Sequence, residues 1–257
     1  MEDIKTKHHV HVPKRVREYM IELLSTFIAV ALAFLSQYYF QYRSDRSTEH
    51  ALMISMVADL RIDIKNINEL SSLKKEITES GDKLVDICYG NYSTRENQLL
   101  MYYCSEPITD RKNQINFTQT TLSQLKNAGG MKLITDSDVS TSITEYDNEV
   151  RYLDIFAASG YTWLKEFLVL EEGLLYERTW INDTSGSHAT INTVFLNRMY
   201  ATTGSMLISN DKLTVVKYGN MALNYVNYRN GYTYQCEALK IQAQKLISLI
   251  QSRYHIE

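Results

Sequence analysis

Proline is nearly missing from this chain, with two in 257 residues, and glycine is sparse at ten. So few helix breakers and turn formers exclude a loop-rich sandwich, a collagen-like rod and a disordered linker protein, and leave helix as the expectation. An excess of positive charge is missing too. The 27 Lys and Arg against 30 Asp and Glu give a net charge of -3, which argues against a nucleic-acid-binding surface, because displacing counterions from phosphates needs clustered cations. Glycine-rich phosphate loops, HExxH, paired CxxC and G-x-S-x-G contexts are all absent. What remains is a chain long enough to bury one sizeable core or two small ones.

It also holds one long apolar run. Leu23 to Phe40 reads LLSTFIAVALAFLSQYYF, uncharged, with Ser25, Thr26, Ser36 and Gln37 as its polar interruptions. At about 1.5 Å per residue such a helix covers roughly 27 Å, close to a bilayer's hydrocarbon core. Tyr19 on one side and Tyr38, Tyr39 and Tyr42 on the other supply aromatic borders at headgroup level. Lys5, Lys7, Lys14, Arg15 and Arg17 precede the run, and only Arg43 and Arg46 follow it closely. The positive-inside bias therefore keeps the N-terminus cytoplasmic and everything after Arg43 outside the cytoplasm. The expected division is a cytoplasmic segment 1–18, a transmembrane helix 19–42 and an external helical domain 43–257. A cleaved signal peptide and a buried soluble helix compete with this reading. Against the first, the run is longer than a signal's apolar region and SQYYFQYRSDR offers no small-x-small cleavage site. Against the second, few soluble proteins of this size need a helix apolar on nearly every face.

Beyond the span, Met53, Val57, Leu60, Ile64, Ile67, Leu70, Leu73, Ile77 and Leu84 recur at steps of three and four. Asp59, Arg61, Asp63, Lys65, Lys74, Lys75 and Glu76 lie between them, which predicts an amphipathic helix with one apolar and one solvated face. No Pro or Gly falls between Pro13 and Gly81, so the span is expected to run on into this helix. Residues 90–116 read as a connection with one short helix. Thr118–Asn127 reads as a helix stopped at Gly129 or Gly130. Asp136 or Ser137 caps a long third helix that carries Val139, Ile143, Tyr146, Val150, Leu153, Phe156, Trp163, Phe167 and Leu170 to about Tyr176. Asn182–Ala189 (NDTSGSHA) is the clearest loop. A shorter helix over Thr190–Ser205 follows, and Asp211 opens a final helix through Val216, Met221, Val226, Leu239, Leu246 and Ile250. The fold class expected is all-α, an N-terminal transmembrane helix continuing into an antiparallel helical bundle.

Four segments, HHVHVPKR at His8–Arg15, REYMIELLSTFIAVALAFLSQ, MVADLRIDIKNIN and TLSQLKNAGGMKLI, together resemble an uncharacterised family of single-span, membrane-anchored Bacteroidota proteins with an N-terminal HHxHxP-type motif. The resemblance covers the first third of the chain and the QLKNAGGMKLI segment. It brings no activity, cofactor or catalytic residue with it. It implies a bacterial envelope setting, with the anchor in the inner membrane and residues 43–257 in the periplasm. Val12 stands where another histidine is common in that motif.

The candidate sites follow from residue type and spacing. His8, His9 and His11 are the one local histidine cluster, but on an extended chain only His9 and His11 share a face, so a segment facing lipid or a partner is the simpler reading than a metal site. Glu22 is a carboxylate at the membrane margin, a functional candidate or a structural partner for Lys14 or Arg15 of a neighbouring chain. Ser25, Ala29, Ala33 and Ser36 recur at three- and four-residue spacing, a strip that lets helices approach closely. Cys88 and Cys104 allow either a disulfide closing a short loop, in the oxidising periplasm the resemblance implies, or two buried thiols, with Cys236 left over. His50, His188 and His255 stand in no arrangement that would activate a cysteine. Tyr218, Tyr225, Tyr228 and Tyr232, with Tyr234, crowd the last helix as core or interface, and are the preferred partner surface.

These readings point to a non-enzymatic, membrane-anchored envelope protein that is an assembly or accessory subunit of a membrane complex. No cofactor is expected. The partners expected are the bilayer and either further copies of the chain or another inner-membrane protein, with no nucleic acid. Two alternatives stay open: a ligand-sensing bundle that signals through a partner, and a single-span subunit of an ion-driven motor-type complex using Glu22.

Overall fold

The computed structural model describes residues 14–109, 114–127, 129–176, 180–182 and 189–256. In chain order these form α1 (Lys14–Tyr89), α2 (Arg95–Thr109), α3 (Thr120–Asn127), a 3-10 turn at Gly130–Lys132, α4 (Ser137–Leu174), the strands β1 (Trp180–Asn182) and β2 (Ala189–Ile191), α5 (Thr193–Thr203) and α6 (Lys212–Tyr254). Among the described residues the regular structure is helical apart from that short strand pair. The chain divides into two units, Met1–Leu52 and Met53–Glu257.

In the first unit, α1 is a bare helix. It contains the one stretch among the described residues that is long and apolar enough to cross a membrane. Leu23, Leu24, Phe27, Leu32, Phe34, Leu35 and Phe40 are all exposed. Its hydroxyls turn inward onto the helix itself: Ser25 Oγ and Thr26 Oγ1 donate to the Glu22 carbonyl at 2.8 and 3.0 Å, and Ser36 Oγ to that of Leu32 at 2.8 Å. In hydrocarbon, where a lone hydroxyl has no water to bond, that arrangement removes most of the penalty of a polar side chain.

The second unit is built on α1, α4 and α6. The face of α1 carrying Met53, Met56, Val57, Leu60, Ile67, Leu70, Ile77 and Leu84 is buried, as are Val139, Ile143, Val150, Leu153 and Phe167 of α4 and Val215, Val226, Leu239, Leu246 and Ile250 of α6. Contacts run in reverse order between α1 and α6 and between α4 and α6. Tyr89, Thr78 and Ser71 of α1 meet Asn220, Asn230 and Glu237 of α6. Glu171 near the end of α4 meets Tyr218, while Arg253 at the end of α6 pairs with Asp136 and Asp138 at the start of α4, both at 3.2 Å. Two glycines set how close these helices come. A Cβ on Gly219 of α6 would lie 2.7 Å from Cys88 Cβ, and one on Gly160 of α4 would lie 1.9 Å from the Tyr228 ring.

Element ends follow the capping residues. Asp136 accepts from the amides of Asp138 and Val139, Asn192 from Phe195, and Asp211 from Thr214, each using amides that lack an intrahelical partner. Gly129 adopts φ 69° after α3, the left-handed conformation that glycine takes without strain. The hairpin was not expected. Its antiparallel register pairs Trp180 with Ile191, Ile181 with Thr190 and Asn182 with Ala189, flanking the predicted loop, of which residues 183–188 lie outside the described set. Some expected core positions are also corrected. Trp163 is exposed, and Phe156, Leu170 and Val216 are only half-buried, because a straight 3.6-residue helix drifts off a stripe drawn through so many turns.

Candidate functional site

Chemistry-bearing side chains of the second unit gather in two buried clusters and one aromatic column. The first cluster begins on α1. Asp59 and Asp63 stand one turn apart and face the segment that enters α3: Asp63 accepts from Thr118 N at 2.8 Å, and Asp59 from Thr121 N at 3.0 Å. These carboxylates from another helix satisfy amides at the start of α3 that its own short ladder leaves open. Tyr146 of α4 completes the cluster, donating its hydroxyl to the other Asp63 oxygen at 2.7 Å. Asp63 is 1% exposed, which corrects its assignment to the solvated face. Burial pushes its carboxyl above the usual range, with the Thr118 and Tyr146 hydrogen bonds pulling back part of the way. The same burial, with Asp63 alongside, holds the Tyr146 phenol far above its ordinary value. A signal was there: Asp63 falls three residues after Leu60 and four before Ile67, on the apolar stripe itself.

The second cluster joins α2, α4 and α6. Ser105 and Tyr218 both donate to Glu171 Oε1, the latter at 3.4 Å. One turn earlier on α2, Tyr102 donates to the Met206 carbonyl at 2.6 Å and accepts from Tyr176 N at 3.0 Å. Gln98, a turn earlier again, accepts from Met206 N at 2.7 Å. The inner face of α2 is thus a row of polar groups tying the 205–207 segment and α4 together. Sequence periodicity passed over it, because Gln98 and Ser105 look like surface residues in a connection.

The column is made of near-parallel rings. Phe167 stacks on Tyr218 at 4.9 Å and on Tyr225 at 6.4 Å, Tyr225 on Tyr228 at 6.0 Å, and Tyr228 on Phe156 at 5.1 Å and on Tyr232 at 6.4 Å, with interplanar angles of 12–17°. The partner-surface assignment is therefore corrected for three of its four residues. Tyr218, Tyr225 and Tyr232 are buried and Tyr228 is half-buried, leaving Tyr234 as the exposed tyrosine of that segment. The hydroxyls find partners inside: Tyr228 donates to the Phe156 carbonyl at 3.1 Å, and Tyr232 accepts from Ile115 N at 3.4 Å.

Of the disulfide and the buried thiols left open for Cys88 and Cys104, the structure holds the thiols. Cys88, Cys104 and Cys236 are free and buried. Cys88 packs against Gly219 of α6, where an added Cβ would lie 3.3 Å from its Sγ, and it shares one buried core cluster with Cys104. Burial raises all three thiols, Cys88 and Cys236 to about 12, far from the thiolate a nucleophile or metal ligand needs.

On the span, Glu22, Ser25, Ala29, Ala33 and Ser36 are all exposed. By helical spacing Glu22 heads the same face as Ala29 and Ala33. His8, His9, His11 and His188 lie outside the described residues, and His50 is exposed. Among the described residues no group of three or more His, Cys, Asp or Glu is placed to hold a metal ion. Comparison with protein-family models, curated proteins and solved structures finds no match to this chain.

Proposed function

We propose that this is a non-enzymatic anchored protein of a bacterial envelope. Residues 1–18 lie in the cytoplasm, 19–42 cross the inner membrane, and the remainder forms an antiparallel helical bundle in the periplasm, as in the family whose N-terminal motifs it resembles. It acts as an assembly or accessory subunit, joined through its span to further copies or to another inner-membrane protein. The observation that carries this reading is the uncovered helix of the first unit, whose apolar side chains are exposed while its hydroxyls are satisfied within the helix. Such a surface needs lipid or another helix as its solvent. The strip of Ser25, Ala29, Ala33 and Ser36, headed by Glu22, supports a helix over lipid on that face. In the second unit, Tyr, Cys and carboxylate groups engage one another in the interior, which supports a structural role for them.

Gentle solubilisation from the native membrane, followed by intact-mass measurement, tests the proposal. A stoichiometric complex or a homo-oligomer is expected, and Ala29→Leu with Ala33→Leu should weaken crosslinking in membranes. A strictly monomeric species with crosslinking indifferent to those substitutions would overturn it.

A further inference from the structure

Between α3, the 3-10 turn and α4 lies a cavity of about 110 Å³ with a two-sided lining. Its floor is apolar: Leu122, Leu125 and Ile143 line it and are all buried. Its rim is charged. Lys126 Nζ and Arg151 Nη2 both reach Asp147, at 2.7 and 2.5 Å. Asp147 is itself 6% exposed, whereas the two cationic side chains are 42% and 58% exposed. Two cations on one carboxylate leave a net positive charge at the mouth. They also leave unused donors, since an ammonium carries three N–H groups and a guanidinium five. Arg151 spends one further contact on Asn148 at 3.1 Å. Asp147 thus acts as a hinge pin that holds both cations at the rim of an apolar hole.

A ligand for such a site needs an anionic head that suits a guanidinium fork and a short apolar tail. The size limits the tail, because an apolar cavity of about 150 Å³ accommodates benzene and this one is smaller. We propose that the cavity binds a short-chain monocarboxylate of the size of butyrate, with its tail among Leu122, Leu125 and Ile143 and its carboxylate on Lys126 and Arg151. Inorganic phosphate would meet the cations but leave the apolar floor unfilled. An uncharged alcohol of the same length would fill the floor and leave the cations unmet.

The test is equilibrium binding of labelled butyrate to the full-length protein in lipid nanodiscs, with butanol, acetate and inorganic phosphate as competitors. The expected result is saturable binding of one butyrate per chain. Arg151→Gln should weaken it by about tenfold, the loss of one charge-assisted contact, with Lys126→Gln acting in the same direction. All three competitors should be weaker than butyrate by about tenfold or more. Both substitutions fall on solvent-facing side chains, so unchanged thermal melting separates lost binding from lost folding. The proposal is overturned by the absence of saturable binding, by binding indifferent to both substitutions, or by phosphate competing as well as butyrate. None of these outcomes depends on what the span assembles with.

Discussion

At the scale of single residues, Asp63 is a carboxyl buried in the second unit. Its folded carboxyl is raised above the unfolded value of 3.8, chiefly by burial. A raised folded value means that the native state binds the proton more tightly. The contribution is therefore fully present below the unfolded value and is lost as pH rises through the folded one. Denaturant unfolding of the wild type and Asp63→Asn between about pH 4 and 7 should show the wild type losing stability relative to the variant as pH rises. A difference that is flat or opposite in sign would show that the Thr118 and Tyr146 hydrogen bonds outweigh burial. The thiols make a second residue-scale prediction. With Cys88 and Cys236 raised to about 12, almost no thiolate exists near neutral pH. Alkylation read by intact mass should be slow in the native protein and complete once it is denatured. A mass two hydrogen atoms lighter before reduction would instead reveal a disulfide.

At the scale of elements, the sequence was most informative where one residue does one local job. Asp136 and Asp211 open their helices and Gly129 turns left-handed, as capping and turn chemistry require. The long helices were likewise legible from their periodicity. What stayed hidden depends on neighbours distant in sequence. The tyrosines of α6 read as a sticky surface until Phe156 and Phe167 of α4 are seen stacked on them. Asp63 read as a solvated charge until Tyr146 and Thr118 close over it. The hairpin strands, three residues each, are too short to show any period. A close approach between helices gives this scale its own prediction. Gly219→Ala would set a methyl 2.7 Å from Cys88 Cβ, so α1 and α6 must separate, at a cost of about 1–3 kcal/mol. Adding Cys88→Ala should not restore stability, because alanine keeps the offending Cβ. Rescue by that second change, measured by chemical unfolding, would place the conflict at the sulfur instead.

At the scale of the whole chain, the two units treat their apolar side chains differently. The second unit buries its apolar side chains against one another, while the N-terminal stretch of α1 leaves its own uncovered. The first follows the ordinary hydrophobic effect in water, and the second contains the stretch that is long and apolar enough to cross a membrane. The aromatic column in the second unit has an optical consequence. Rings held about 5–6 Å apart with nearly parallel planes sit in a fixed chiral array, and such arrays give near-ultraviolet circular dichroism that fades when side chains lose their fixed positions. The protein thus carries a built-in, label-free spectroscopic reporter of whether α4 and α6 are docked.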